Sequence, residues 1–247
     1  MTSLDGRVVV ITGGASGIGG ATARLCAARG ARVVIGDVDD AKGAALAREL
    51  TESGLTAAFT HVDVTREPDC ERLIQTAVSE FGTLDVLVTC AGILQGAFVE
   101  IAELDLATFE RVQDVNVRGT FLCIKHAVAA MGDRGGTILL VASGAGVTSR
   151  SSSVAYGTSK AAVHGLGFIA PNHLAGRPIR VNTVCPSIVD TPLKRANVED
   201  EGRARGWSRA DIDAAKKELR DPEGVARVLA FLASDEADYV RGTVFTA

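Results

Sequence analysis

Tyr156 and Lys160 lie four residues apart in Val154-Ala155-Tyr156-Gly157-Thr158-Ser159-Lys160. On a helix that spacing puts both side chains on one face, an ammonium beside a phenol. A phenol of ordinary pKa near ~10 is a poor base at neutral pH, but a neighbouring cation favours the phenolate and brings its proton transfers toward the working range. Ser143 follows the apolar run 137–142, so a parallel sheet would hold its hydroxyl at a strand's carboxyl end, where it could hold a substrate oxygen. Taken singly, each has a plainer use, Tyr and Lys as surface residues and Ser as a turn former. Together they describe a proton-transfer centre, provided that one fold brings them to the same place.

A second constellation lies at the other end of the chain. Thr12-Gly13-Gly14-Ala15-Ser16-Gly17-Ile18-Gly19 follows the apolar run Val8-Val9-Val10-Ile11 and opens into an Ala-rich segment ending at Arg29, the layout of a strand, a tight turn and a helix. Glycines at 13, 17 and 19 let the backbone turn sharply and approach a pyrophosphate, whose charge the helix start stabilises. The next strand, 31–36, leads to Asp37, 18 residues past Gly19, where a dinucleotide fold presents a carboxylate to the adenosine ribose. The alternative for Asp37 is a turn former ahead of Asp39-Asp40.

The elements that must position these groups alternate. Runs rich in Val, Ile and Leu recur at 7–12, 31–36, 57–62, 84–90, 136–142 and 179–185, with a last short strand at 243–246; helix patterns read at 17–29, 40–53, 67–81, 104–131, 154–175 and 222–234. Such βαβ alternation predicts an α/β domain, a doubly wound parallel sheet of about seven strands with helices on both faces and right-handed crossovers. One domain over 1–247 is the expectation for a chain of 247 residues. The segment 187–220 departs from the alternation: from Leu193 to Arg220 it carries fourteen charges of mixed sign. It reads either as a solvated helical surface or as a lid over a pocket at the strand ends.

Composition narrows the partners. A net charge of −4 from interspersed signs argues against a nucleic-acid surface and against a basic membrane patch, leaving a small soluble ligand. Runs of the roughly 20 apolar residues that span a membrane are missing, and Met1-Thr2-Ser3-Leu4-Asp5 has neither the basic start nor the apolar core of a signal, so a cytoplasmic location is expected. Cys26, Cys70, Cys90, Cys123 and Cys185 are scattered, without a Cys-x-x-Cys pair, which predicts reduced thiols and no structural metal. His61, His126, His164 and His173 lack metal-ligand spacing.

These residues, in this order, resemble the short-chain dehydrogenase/reductase family over nearly the whole chain. Thr12-Gly13-x-x-x-Gly17-x-Gly19 matches its cofactor turn, Asp63-Val64 its adenine-side pair, Ala91-Gly92 the end of its Asn-Asn-Ala-Gly motif, and Asn116 in Val115-Asn116-Val117-Arg118-Gly119 its structural and catalytic asparagine. Ser143 with Tyr156-Gly157-Thr158-Ser159-Lys160 matches its active site, and Arg180-Val181-Asn182 leading to Pro186 matches the strand before its nicotinamide loop. The resemblance implies a single-domain Rossmann fold and an oxidoreductase that interconverts a secondary alcohol and a ketone. Tyr156 would be the acid/base, Lys160 would lower its pKa and bind the nicotinamide ribose, Ser143 would orient substrate, and Asn116 would hold a relay water. Cofactor contacts would come from Gly13, Ser16, Gly17, Ile18, Gly19, Asp37, Asp63, Val64, Cys90, Ala91, Gly92, Tyr156, Lys160, Pro186, Val189 and Thr191.

Asp37, together with a neutral Ser16 in the turn, favours NAD, because a 2′-phosphate would meet like charge. The family pairs helices 104–131 and 154–175 with symmetry mates, implying a homo-oligomer, a tetramer or a dimer. Four features depart from its pattern: Thr89-Cys90 in place of two asparagines, Ser187 after Pro186, Pro171 inside the helix after the active site, and a carboxyl end at Thr246-Ala247 where relatives continue. The substrate pocket is expected along 93–98, 144–153 and 187–207, including Leu94, Gln95, Phe98, Val147, Leu193 and Trp207. Two rivals stay open: an NAD-binding sensor without turnover, and a nucleotide-sugar epimerase or dehydratase, for which the stretch after Lys160 leaves little room for a substrate domain.

Overall fold

The computed structural model describes residues 3–174 and 176–246. Seven parallel strands, β1 (Val8–Thr12), β2 (Arg32–Asp37), β3 (Ala57–His61), β4 (Val86–Thr89), β5 (Gly136–Val141), β6 (Ile179–Cys185) and β7 (Gly242–Phe245), form one sheet in the order 3-2-1-4-5-6-7. The pleat sends alternate residues to opposite faces. Val8, Val10, Leu87, Ile138 and Leu140 enter one buried layer, while Val9, Ile11, Val86, Val88, Leu139 and Val141 enter the other.

Helices α3 (Glu67–Phe81), α5 (Gly119–Met131) and α6 (Val154–His173) close the first layer through Leu73, Ile74, Leu122, Ala127 and Val163. The second is closed by α1 (Gly17–Ala28), α2 (Asp40–Glu52) and α9 (Pro222–Leu232) through Ala23, Cys26, Leu46, Leu50, Val225 and Leu229. Because β2 lies on one side of β1 and β4 on the other, the connections diverge outside the carboxyl ends of β1 and β4. There the loops part and leave a crevice.

Two elements differ from the sequence reading. The segment 104–131 is not one α-helix: α4 (Leu106–Gln113) is joined to α5 by a π-turn over Asp114–Arg118. The buried Asn116 sits inside that turn, its side chain committed to Ile93 and Ser159, and such insertions re-aim a side chain without ending the helix. Pro171 does not interrupt α6. It stands two residues before the end at His173, where Leu174 N–H bonds to Pro171 O at 3.2 Å, so the donor it lacks falls in the last turn.

The excursion 187–220 contains α7 (Pro192–Arg205) and α8 (Arg209–Lys217). Local rules set its ends: Thr191 caps α7 through the Lys194 N–H, Gly206 ends it at φ +67°, and Ser208 with Asp211 forms a capping box on α8. Ile188 and Asp190 bond with Arg220 through Arg220 N–H to Ile188 O at 3.0 Å and Asp190 N–H to Arg220 O at 2.7 Å, which fixes the base of the excursion. Its charges pair internally, Arg209 and Lys216 on α8 both meeting Glu199 on α7.

Candidate active site

A cavity of about 840 Å³ opens at the carboxyl ends of β1, β4, β5 and β6 and collects both constellations. At one end the glycine turn folds tightly. Gly13 has φ +62°, and a Cβ there would lie 2.7 Å from Ala91 N; a Cβ on Gly19 would lie 2.2 Å from Gly13 O. Gly14 N–H bonds to Gly36 O at 3.1 Å and Ala15 N–H to Asp37 Oδ2 at 3.0 Å, so Asp37 braces the turn that it faces. Ser16 caps α1 in extended backbone with its hydroxyl bonded to none of the helix N–H groups, and the free N–H groups of that first turn give the helix start its anion affinity.

Gly13, Ser16, Gly17, Ile18, Gly19, Asp37, Asp63, Val64, Cys90, Ala91, Gly92, Ser143, Tyr156, Lys160, Pro186, Val189 and Thr191 all line this one space. Asn116 does not: it is fully buried behind the wall. Its Oδ1 accepts from Ile93 N–H at 2.8 Å, and its Nδ2 donates to Ile93 O and Ser159 Oγ, both at 2.9 Å. With these bonds made, its side chain locks the loop after β4 to α6 and offers no further donor. At Thr89-Cys90 the loop is held by Cys90 N–H on Thr12 O at 3.0 Å and by Ala91 N–H on the Thr12 side-chain hydroxyl at 3.3 Å. Thr89 Oγ1 is left buried without a partner.

Tyr156 is aimed by its own helix start. Ser153 caps α6 through Tyr156 N–H at 3.1 Å and donates its hydroxyl to Gln95 O at 2.6 Å, while Gln113 Nε2 donates to Ala155 O at 2.9 Å. One turn further, Lys160 Nζ is 5.8 Å from the centre of the Tyr156 ring and donates to Val141 O at 2.9 Å. Burial lowers the Lys160 ammonium to about 8. Burial also raises the Tyr156 phenol above its ordinary value, and a hydrogen bond with Ser143 works in the opposite direction. The spacing argument expected the cation to lower the phenol; in this enclosed site the shift is set by desolvation and opposed by the Ser143 bond, and Lys160 is not among its causes.

The pocket expectations hold for Leu94, Phe98 and Leu193 and fail for Gln95, Val147 and Trp207. Val147 packs against the core, Gln95 turns its carbonyl to Ser153, and Trp207 lies beyond the end of α7 with the Arg205 guanidinium 5.7 Å over its ring. Phe98 holds the chain's one described non-glycine φ above zero, +59°, with its N–H on Ser152 O at 2.7 Å. Arg150, Lys194, Asn197, Glu201 and Arg205 line the cavity from within the expected ranges without having been singled out, and Arg111 lines it from outside them. The five were marked only by position, and Arg111, on α4, by no local signal.

Among the described residues no cluster of His, Cys, Asp and Glu could hold a metal ion, and no helix is long and apolar enough to cross a membrane. A strand order that opens a crevice at β1 and β4, a glycine turn facing Asp37, and a Ser-Tyr-Lys group in the same cavity define a nucleotide-binding α/β oxidoreductase. Residues 13–247 match the family model described as enoyl-(acyl carrier protein) reductase. Similar proteins include cis-4-hydroxycyclohexanecarboxylate dehydrogenase of Sinomonas cyclohexanicum, 44% identical over 96% of this chain and 93% of its own length, and the mitochondrial borneol dehydrogenase of Lavandula x intermedia, 39% identical over 97% and 88%. The crystal structure of levodione reductase superposes with a TM-score of 0.88 at 30% identity, covering 98% of this chain and 95% of that one. The chain belongs to the short-chain dehydrogenase/reductase family, and these relatives are alcohol and ketone dehydrogenases and reductases.

Proposed function

We propose that the protein is an NAD-dependent dehydrogenase that interconverts a secondary alcohol and a ketone, with Tyr156 as the acid/base. The observation that carries this reading is the convergence of Ser143, Tyr156 and Lys160 with the glycine turn in one cavity. The turn fits a dinucleotide, since its close approaches at Gly13 and Gly19 leave no space for a Cβ and the Ser16 hydroxyl is uncommitted to its helix. Asp37 supports NAD: each carboxylate oxygen keeps acceptor capacity beyond its bond to Ala15 or Asp39 N–H, and nearby Lys42 is engaged by Asp39 at 2.6 Å. Asp63 and Val64 would flank the adenine, and Pro186, Val189 and Thr191 the carboxamide. The nicotinamide would supply the carbon that takes or gives the hydride and, when oxidised, a positive charge that favours the phenolate.

In oxidation the Tyr156 oxygen would take the hydroxyl proton; in reduction it would return one to the carbonyl oxygen. Ser143 would hold that oxygen. Lys160, with one N–H on Val141 O, keeps two donors for the ribose and for a proton path. A ring alcohol is the substrate class we favour, supported by the relative named for a hydroxycyclohexanecarboxylate and by apolar Leu94, Phe98 and Leu193 in the cavity wall.

Association into a homo-oligomer is supported by Phe121 on α5 and by Phe168 and Ile169 on α6, 51%, 80% and 52% exposed, an apolar face of the kind that marks protein contacts. Five free cysteines favour a reducing compartment such as the cytoplasm. The test is NADH formation from NAD with a panel of cyclic secondary alcohols. Tyr156→Phe should cut turnover by about 100- to 10,000-fold while NADH binding is kept; wild-type turnover in that variant would remove Tyr156 from the mechanism.

A further inference from the structure

The charges on the cavity wall are unevenly matched. Asp37 and Asp63 lie at the adenosine end. The wall also carries Arg111, whose charge acts on Asp63, and Arg150, Lys194, Glu201 and Arg205. Glu201 is taken by Arg205 at 3.0 Å. Among the described residues Arg150 and Lys194 have no carboxylate partner; Lys194, half-buried, donates only to the neutral Asn197 Oδ1 at 3.1 Å.

The placement of Lys194 is built rather than incidental. Asn197 is 4% exposed, and its Nδ2 donates to Ser152 Oγ at 3.0 Å. Ser152 belongs to the loop between Ser143 and Tyr156 and receives Phe98 N–H on its carbonyl. The chain Lys194–Asn197–Ser152 therefore ties the ammonium to the catalytic side of the cavity. A half-buried ammonium facing a neutral amide is short of the counter-charge that burial makes favourable.

Resting on the dehydrogenase reading, we infer that the substrate carries an anionic group, a carboxylate set apart from its reacting hydroxyl, and that Lys194 recognises it with Arg150 at the rim. Lys194 is a specificity-determining residue in this assignment. A cofactor phosphate is the other anion that could meet it, and the test distinguishes the two.

Cyclohexanecarboxylate has no hydroxyl to oxidise, and cyclohexanecarboxamide is its neutral counterpart of nearly the same shape. Calorimetric titration of each into the protein saturated with NADH reads recognition without turnover, so its outcome is separate from that of the dehydrogenase reading. The carboxylate should bind about ten- to a hundredfold tighter than the amide, the range of a charge-assisted hydrogen bond. Lys194→Gln should remove most of that preference and Arg150→Gln a smaller part, with NADH affinity unchanged in both. Equal affinity for acid and amide, binding of neither, or a Lys194→Gln variant that loses NADH affinity instead would overturn the assignment.

Discussion

Three glycine-to-alanine substitutions separate the two costs that the nucleotide turn would impose on a side chain. Gly82, which ends α3 at φ +81°, has nothing within 4 Å of its would-be Cβ, so its alanine carries the backbone cost alone. Gly19 has no unusual φ, but its Cβ would stand 2.2 Å from Gly13 O, a packing cost alone. Gly13 carries both: φ +62°, with Ala91 N, Ala91 Cα and the Cys90 carbonyl carbon at 2.7, 2.8 and 2.9 Å. These are backbone atoms of the loop after β4 and cannot step aside as a flexible side chain would.

Left-handed backbone costs an L-residue about 1–2 kcal/mol, and overpacking costs about 1–3 kcal/mol. Gly82→Ala should therefore lose about 1–2 kcal/mol and Gly13→Ala about 2–5 kcal/mol. At about 2–4 °C per kcal/mol for a domain of this size, Tm should fall by about 2–8 °C and about 4–20 °C respectively. Calorimetric melting reads the order of the variants, and NADH titration should show Gly13→Ala losing affinity that Gly82→Ala keeps. A Gly13→Ala protein that melts with or above Gly82→Ala and still binds NADH would refute the close docking of the turn against 90–91.

Replacing Asp37 with Asn together with Ser16→Arg should raise the NADP-to-NAD ratio of kcat/KM, because one change removes a repulsion and the other adds a phosphate partner; an unchanged ratio would mean that Asp37 does not meet the ribose. Burial holds the Tyr156 phenol above its ordinary value and the Lys160 ammonium at about 8, so oxidation, which needs the phenolate, should rise with pH into the alkaline range. Ser143→Ala removes a hydrogen bond that lowers the phenol and should move that rise to higher pH; a profile that stays in place would exclude Tyr156 as the titrating base. We propose that 187–220 closes over the occupied cavity, and hydrogen exchange across 187–210 should slow when NAD and a substrate analogue are added, with β4 and β5 changing little. Equal protection with and without ligand would leave the segment a fixed surface.

Much of this arrangement is written in short-range signals. The apolar runs locate the strands because a parallel sheet covered on both faces requires them, and the glycine turn announces itself because only glycine tolerates the approaches at 13 and 19. Tyr156 and Lys160 are legible as a pair since helical spacing alone sets their neighbourhood. What the sequence hides depends on distant partners. The π-turn at Asp114–Arg118 is held by Ile93 and Ser159, 23 and 43 residues from Asn116, and no local pattern marks it. The direction of the Tyr156 shift depends on how much of the chain closes around the phenol, which spacing cannot give. Gln95 and Val147 were misassigned for a related reason: a loop range can be read from its neighbours, but which of its side chains turn inward is decided by what packs behind them.

The proposed closure of the excursion rests on how it is held. Its α7 and α8 form a unit of their own, with Ile212 seated against Gly202, where a Cβ would lie 2.6 Å from the Ile212 side chain, and with Glu199 bridging to Arg209 and Lys216. Its base is pinned by the 188–190 bonds to Arg220. At its start Thr191 meets the glycine turn, a Cβ on Gly17 standing 3.1 Å from Thr191 Cγ2, while further along Asn197 meets the catalytic loop through a hydrogen bond to Ser152. If the segment closes as proposed, a unit stiff inside would turn as a body about that base, and the contacts at Thr191 and Asn197 are the ones that would adjust. On that reading the end at Thr191 would sense the cofactor and the end tied through Asn197 the substrate. Trp207, outside the cavity and beyond the end of α7 but stacked with the Arg205 that lines it, would report on that motion only through Arg205.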